Sequence, residues 1–250
     1  MPHDAPAHAA PAAAPKASAP APKPPAPGQG LMSRLRGMLG LGAQQEAVRP
    51  AAAPPAQTVR ELAEAITMPG GHGGAGDKKA VVDEMVKIPR PGLELLKTKN
   101  TKVIACKDSV TDVMTELKGV KPRGWPPGMT WDSVPGLYDS ASNRVIIATK
   151  DGKVPPTGQG HGSANLVLHE VGHAIDAMGG GMSNNADFLQ ARAKDLGNLT
   201  AYEKQEGNAG REETFAEDMA RFYGGQADHA KNFAGLDAYW RTNPIDKAKK

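Results

Sequence analysis

The sequence is poor in cysteine, in aromatic residues and in long apolar runs. Its single cysteine, Cys106, permits no disulfide within the chain, so cysteine usage gives no sign of an oxidising compartment. Cys106 ends the apolar run 103–106, and we expect it to be a buried strand residue and not a reactive thiol. No stretch approaches the roughly 18 apolar residues of a membrane span. These absences exclude a disulfide scaffold and predict no transmembrane segment.

Strong charge and a secretory signal are also missing. The net charge is +3; residues 1–60 hold six Lys/Arg against two Asp/Glu, or +4, which leaves 3 − 4 = −1 for residues 61–250. This nearly neutral balance predicts no nucleic-acid partner. Residues 1–4 begin neither a charged nor an apolar signal region. We expect a cytoplasmic location or secretion by a route that is independent of a signal peptide.

The first quarter of the chain is rich in alanine and proline, which predicts a disordered tail over residues 1–57. Residues 31–39 interrupt this tail with apolar residues at helical spacing and two arginines. That pattern is typical of a marginal helix, or of a segment that binds a membrane surface or an export chaperone. Residues 58–76 predict a short capped helix and a glycine-rich linker. The main globular domain is then predicted to span residues 77–250.

Short apolar segments in the middle of the chain predict a small sheet. Strands are expected over residues 102–106, 137–139 and 144–148, the last two joined as a hairpin. The spacing over residues 109–117 predicts a helix. Residues 124–136 combine two tryptophans with many prolines and glycines, which indicates a lid over the core or a wall of a substrate cleft. If a hairpin strand is a sheet edge, an extended peptide can pair with it.

The most informative stretch is His169-Glu170-Val171-Gly172-His173, which matches the H-E-x-x-H zinc pattern. On a helix, two histidines four residues apart lie on one face and can bind one ion, while Glu170 flanks it. The apolar surroundings predict a buried helix, and buried polar groups need partners. A bound cation is therefore favoured over histidines that only form hydrogen bonds. We expect Ser163 to cap this helix and residues 179–181 to end it.

A catalytic zinc site usually has three protein ligands and one open position. No histidine follows His173 at the spacing of a metzincin. The acidic helix predicted over residues 211–222 offers Glu213 as a ligand, although acidic clusters are often solvated faces. Glu217, one turn later, is predicted to accept the second N–H of a ligand histidine. Asp176 is expected either to bond a group around the ligands or to form a surface ion pair.

Three blocks of the sequence together resemble a known family. They are His169-Glu170-x-Gly172-His173-Ala174-x-Asp176, Leu199-Thr200-x-Tyr202 and Glu213-x-Phe215-Ala216-Glu217. Their order and spacing are similar to those in the catalytic domain of anthrax lethal factor and in the related bacterial Pro-Pro endopeptidases. The resemblance covers roughly the C-terminal two-thirds of the chain.

The resemblance implies a zincin-like α+β metalloprotease domain with a small mixed β-sheet, an active-site helix and a C-terminal helical subdomain. It implies that His169, His173 and Glu213 bind one Zn²⁺ per chain. It further implies that Glu170 is the general base and that Tyr202 donates to the developing oxyanion. Separately from the resemblance, the composition of the tail suits a bacterial effector or toxin delivered to a host cell, and equally a cytosolic protease with a disordered leader.

We therefore predict a monomeric zinc-dependent endopeptidase that acts on protein or peptide substrates through a metal-activated water. Taken alone, Tyr202 is also compatible with simple packing. The alternative is a zinc-containing binding domain or an inactive protease homologue, which Glu170 disfavours because a structural zinc site gains nothing from a base. The family allows preferences as different as proline-flanked bonds and basic-hydrophobic kinase tails, and the sequence alone assigns no specificity pocket.

Overall fold

The computed structural model describes residues 57–122 and 128–247. The predicted amphipathic segment 31–39 and all but the last residue of the predicted tail lie outside the described residues, as does part of the tryptophan-containing loop. None of the described helices combines the length and the apolar composition that a bilayer crossing requires.

The described residues form an α+β fold, as predicted. The helices are α1 Val59–Ile66, α2 Ala75–Met85, α3 Arg90–Thr98, α4 Leu166–Met178, α5 Ala186–Asp195, α6 Gly207–Gly224, α7 His229–Asn232, α8 Ala234–Arg241 and α9 Pro244–Lys247. The strands are β1 Thr67–Pro69, β2 Lys102–Lys107, β3 Gly136–Asp139 and β4 Arg144–Thr149. The C-terminal elements, from α5 onward, are helical, in agreement with the predicted C-terminal helical subdomain.

The four strands form one mixed sheet in the order β1-β2-β4-β3. β2 is parallel to both β1 and β4, while β3 is antiparallel to β4. The predicted strands and the predicted hairpin are therefore confirmed. In the described sheet, β3 is an edge strand and lies against α4. An edge position is the condition under which an extended peptide could pair with it.

The two faces of the sheet are covered by different cores. Val103 and Ala105 of β2 point into a large core that also contains the buried side chains of α4. Ile104 and Cys106 point to the other face, where Trp131 is part of a smaller core. This alternation is the period of two that a strand imposes. Burial raises the pKa of Cys106 to about 12, so the thiol stays protonated, in agreement with a buried strand residue.

The prediction of a helix over residues 109–117 is wrong. The segment forms two short 3₁₀ turns, which Val113 and Met114 separate. The Ser109 side chain accepts a hydrogen bond from the Thr111 backbone N–H, and the Thr111 hydroxyl donates to Asp132. These local side-chain bonds compete with the backbone bonds that would continue a helix.

Helix α1 and strand β1 belong to the same compact unit as the rest of the described chain. The Thr58 and Glu61 capping box is present as predicted. Leu62 and Ile66 of α1 are buried in the large core. The predicted division between residues 58–76 and the main domain stays a prediction, for which a truncation experiment is given below.

Candidate active site

Helix α4 carries the H-E-x-x-H motif through the interior. Its N-cap is Asn165 and not the predicted Ser163, because the Asn165 side chain accepts a hydrogen bond of 3.1 Å from the Leu168 backbone N–H. The Asn165 amide also donates to Glu84 of α2, which fixes the start of the helix. The predicted end is correct: α4 stops at Met178, just before the glycines.

A close approach between α4 and α6 brings the ligand candidates together. A Cβ atom added to Gly172 would lie 2.9 Å from Cα of Ala216, closer than real Cβ atoms come to other heavy atoms. Glycine at this position therefore lets α6 pack directly on α4. Because Glu213 lies one turn before Ala216 on α6, this packing carries its carboxylate to the two histidines.

His169, His173 and Glu213 form what we call the metal cluster. Each contributes one possible ligand atom, and these atoms all lie within 4.8 Å of one another. The two Nε2 atoms are 3.2 Å apart. Glu213 Oε2 lies 3.5 Å from His169 Nε2, and Glu213 Oε1 lies 3.6 Å from His173 Nε2. Two nitrogens and a carboxylate that converge in this way are a donor set that zinc accepts.

The surroundings of Glu213 Oε2 show whether this cluster suits a cation. The atom is buried and has no hydrogen-bond partner among the described residues. A buried carboxylate oxygen without a donor is costly. A cation between the imidazoles and the carboxylate would satisfy it, so the three residues fit a divalent metal ion.

The charges around the cluster also favour a cation. Burial alone would lower the pKa of His169, but Glu217, Glu213 and Glu170 reverse this effect and raise the pKa to about 9. Burial likewise opposes the raised pKa of His173, which comes mainly from Glu213. For Glu213 itself, burial is outweighed by the histidines and its pKa is lowered. The site therefore stabilises positive charge close to ionised carboxylates.

Glu217 lies behind the cluster. Its Oε2 atom is 3.0 Å from His169 Nδ1, and its Oε1 atom accepts a hydrogen bond of 2.9 Å from the Ala164 backbone N–H. If Nδ1 of His169 donates to Glu217, Nε2 keeps its lone pair for a metal.

Glu170 is buried between the histidines and the edge strand. A Cβ on Gly136 of β3 would lie 3.0 Å from Oε1 of Glu170 and 2.6 Å from Cδ1 of Leu166, so a larger residue here would displace both side chains. Burial raises the pKa of Glu170, while His169 and His173 and a hydrogen bond from the Tyr138 backbone lower it, and the net direction is upward. A raised pKa suits a carboxylate that accepts a proton and then returns it.

Tyr202 and Asp176 have different surroundings. The Tyr202 hydroxyl donates a hydrogen bond of 3.0 Å to Glu213 Oε1, which places the phenol at the metal cluster. Burial, followed by the Glu213 charge, raises its pKa, so the phenol stays protonated. Asp176 is buried, and its two oxygens accept bonds of 2.7 Å from the backbone N–H and the hydroxyl of Ser183. These bonds hold the turn that follows α4. Asp176 therefore does not form the solvent-exposed ion pair that was one of its two predicted roles.

Sequence reasoning missed a second group of buried charges on and beside α6. This group, which we call the buried network, comprises Glu203, Asp218, Arg221 and His229. Arg221 bonds both oxygens of Glu203, at 2.7 and 2.9 Å, and His229 Nε2 lies 2.9 Å from Asp218 Oδ1. The only signal in the sequence was that Arg221, a charged residue, lies on the apolar side of a predicted helix. That position does not identify its partner Glu203, 18 residues away.

Comparisons with known proteins identify the family of the chain. The family model described as anthrax toxin lethal factor, N- and C-terminal domain, matches residues 55–234. A Pro-Pro endopeptidase from Clostridioides difficile is 34% identical over 178 residues, which cover 68% of this chain and 76% of that protein. A second one, from Paenibacillus alvei, is 35% identical over 126 residues, 49% of this chain and 55% of that protein.

A solved structure is also similar. The structure of a Pro-Pro endopeptidase from Paenibacillus alvei matches with a TM-score of 0.59 and 26% identity, and the match covers 72% of this chain and 98% of that one. These matches support the predicted zincin-like fold and the peptidase function, and nothing among them favours a non-catalytic binding domain. The chain therefore belongs to the anthrax toxin lethal factor family, together with the Pro-Pro endopeptidases, and is a metalloendopeptidase.

Proposed function

We propose that this endopeptidase uses one zinc ion per chain, held by His169, His173 and Glu213. The observation that carries the proposal is the convergence of these three side chains around a buried carboxylate oxygen that lacks a donor in the described structure. When bound, zinc would act as a Lewis acid for the water and for the peptide carbonyl. Two nitrogens and one oxygen leave a position free for such chemistry, as is usual for catalytic zinc.

The surrounding side chains then have separate roles. Glu170 accepts the proton of the attacking water and delivers it to the leaving nitrogen of the peptide. Tyr202 remains protonated and donates a hydrogen bond to the carbonyl oxygen as negative charge builds on it. Glu217 holds His169 in the tautomer that directs Nε2 to the ion. No covalent bond between enzyme and substrate is required.

Two isosteric variants and one control test these roles. Glu170→Gln keeps the shape but cannot accept the proton, so we expect cleavage to fall by about 10²- to 10⁴-fold with zinc content unchanged. Glu213→Gln should lose both zinc and cleavage. Glu64→Gln, on the exposed side of α1, is the control and should change neither. Cleavage at the wild-type rate by the Glu170 variant would refute its role, and full zinc content in the Glu213 variant would refute the ligand.

For the substrate, we propose peptide bonds between two prolines. The support is the name of the relative that is 34% identical over most of the chain. A set of four peptides tests this: one with a Pro-Pro bond, two with either proline replaced by alanine, and one with both replaced. We expect cleavage of the first at the Pro-Pro bond and a loss of cleavage in the others. Equal cleavage of all four would reject this specificity, whereas cleavage only of a separate peptide with a basic-hydrophobic sequence would favour the basic-hydrophobic alternative.

We also propose that the tail, residues 1–57, is dispensable for catalysis and that the enzyme is a monomer. Removal of residues 1–56 should leave zinc binding and cleavage unchanged. Removal of residues 1–76 tests the predicted domain boundary, because it also deletes Leu62 and Ile66 from the large core. A shorter chain that keeps its full stability would support a domain beginning at residue 77, and a destabilised one would move the boundary to residue 57. Light scattering on the same proteins measures the oligomeric state.

A further inference from the structure

The salt bridge between Arg221 and Glu203 lies in the interior, close to the catalytic centre. The two N–H···O bonds are 2.7 and 2.9 Å long, and the side chains are 8% and 2% exposed. The guanidinium also stacks 4.5 Å from the centre of the Phe233 ring. Two parallel bonds and a stacked face fix the orientation of both partners, which a lysine could not do.

Glu203 is the residue that follows Tyr202, and it is held at several atoms. Its Oε2 accepts hydrogen bonds from the backbone N–H and the hydroxyl of Thr200, at 3.0 and 2.8 Å. Its backbone carbonyl accepts bonds from Arg192 and from the Thr214 hydroxyl. Tyr202 therefore lies between Thr200 and Glu203, two residues that one carboxylate ties together. Its backbone has little freedom to move as long as that carboxylate stays in place.

The same guanidinium faces the residue behind the metal cluster. Arg221 Nε lies 3.7 Å from Glu217 Oε1, and the other oxygen of Glu217 is the one that contacts His169. Arg221 thus lies between the group that orients a ligand histidine and the loop that carries the phenol. For stability alone, a buried ion pair is commonly no better than apolar residues of similar volume, so its presence here indicates a demand on geometry.

We propose that Arg221 is a positioning residue for the reaction: through Glu203 it fixes the Tyr202 phenol relative to Glu213. This inference rests on the proposed role of Tyr202. The hydroxyl reaches Glu213 Oε1 at 3.0 Å, and a shift of the loop by about 1 Å would remove a donor that acts only when it is correctly aimed. Arg221 itself does not contact the substrate or the reacting atoms.

A double-mutant cycle on the full chain tests the proposal. Arg221→Lys keeps the positive charge but cannot bond both oxygens of Glu203, so we expect kcat to fall by about 10- to 100-fold with KM little changed. Tyr202→Phe should lower kcat by at least as much. The double variant should be no slower than Tyr202→Phe within about twofold, because Arg221 acts through the phenol. Zinc content should remain one per chain in all three proteins.

One further variant separates positioning from stability, and two others replace Arg221→Lys if it does not fold. His229→Gln breaks the other buried contact of the network without touching Glu203, so it should lower stability and leave kcat within about twofold of the wild type. If Arg221→Lys does not fold, Glu203→Gln and Thr200→Ala enter the same cycle. All rates are measured well below each protein's unfolding temperature.

The outcomes distinguish this inference from the proposed function. Additive losses in the double variant, or a fall in kcat for His229→Gln equal to that of Arg221→Lys, would overturn the positioning role and leave the zinc mechanism intact. An unchanged kcat in Tyr202→Phe, with Glu170→Gln inactive, would overturn both the role of Tyr202 and the inference. A wild-type protein that binds zinc but cleaves no peptide would refute the proposed function itself.

Discussion

The metal cluster and the buried network both place charged side chains in the interior beside α6, but they differ in how their negative charge is balanced. In the buried network, Glu203 is bonded at both oxygens by Arg221, and Asp218 faces His229. In the metal cluster, Glu213 faces two imidazoles and keeps one buried oxygen without a donor in the described structure. The charges of the buried network are thus paired within the chain. Unpaired buried charge is costly, so the composition of the metal cluster suits an added cation.

The largest expected effect on cleavage comes from supplying or withholding that cation. Chelation should abolish cleavage, and zinc at 100 times its dissociation constant should raise the free energy of unfolding by about 2.7 kcal/mol. Glu213→Gln should lose most of this zinc-dependent gain, because it removes a ligand. Urea unfolding with and without zinc measures the difference. An equal gain in the wild type and the variant would mean that zinc binds elsewhere.

Removing the positive charge of the buried network should act differently. Arg221→Met leaves the Glu203 carboxylate buried and unpaired, so we expect a loss of about 3–5 kcal/mol in the free energy of unfolding. This loss should be the same with and without zinc, since the network carries its own cation. A loss that zinc fully reverses would show that the two groups do not differ in the way described.

A smaller effect is expected from the contact that holds the metal cluster together. Gly172→Ala places a methyl group against Ala216 and should push α6 from α4, with a cost of about 1–3 kcal/mol and weaker zinc binding. Gly76→Ala is a matched control, because a Cβ at this position in α2 meets nothing within 4 Å. The control should be neutral or slightly stabilising. Zinc titration followed by urea unfolding compares the two variants.

The smallest effect concerns the pH dependence of the buried network. Burial would lower the pKa of His229, but Asp218 and then Asp237 reverse this and raise it. A raised folded-state pKa gives stability that is fully present below the unfolded value of about 6.5 and is lost as the pH rises through the folded value. Wild type should thus lose more stability than His229→Gln between about pH 6 and about pH 8. Parallel pH profiles would exclude a charged His229.

The metal cluster was largely predictable from the sequence because its signals are local. His169 and His173 lie one helical turn apart, and the incomplete ligand set then indicated Glu213. The hairpin of β3 and β4 and the end of α4 were likewise visible in strand patterns and in a run of glycines. In each case the interacting residues are close in sequence, or the chemistry of the ion restricts the choice.

The features that could not be predicted depend on distant contacts. The capping bond from Asn165 to Leu168 is local, but the amide of the same side chain is held by Glu84, 81 residues earlier. The expected helix over residues 109–117 is broken partly by the bond between Thr111 and Asp132. The pairing of Arg221 with Glu203 joins a helix to a loop, and no spacing rule relates such residues. Side-chain hydrogen bonds between distant parts of the chain determine these features, and the periodicity of apolar residues in the sequence does not predict such bonds.

The short edge strand β3 also bears on solubility. An unpaired strand edge can join the sheets of two molecules and start aggregation. Here the strand ends after four residues at Asp139, which pairs with Arg144, and its Gly136 backbone lies against the Glu170 side chain of α4. The open edge of the described sheet is therefore too short to offer a second molecule more than a few backbone groups.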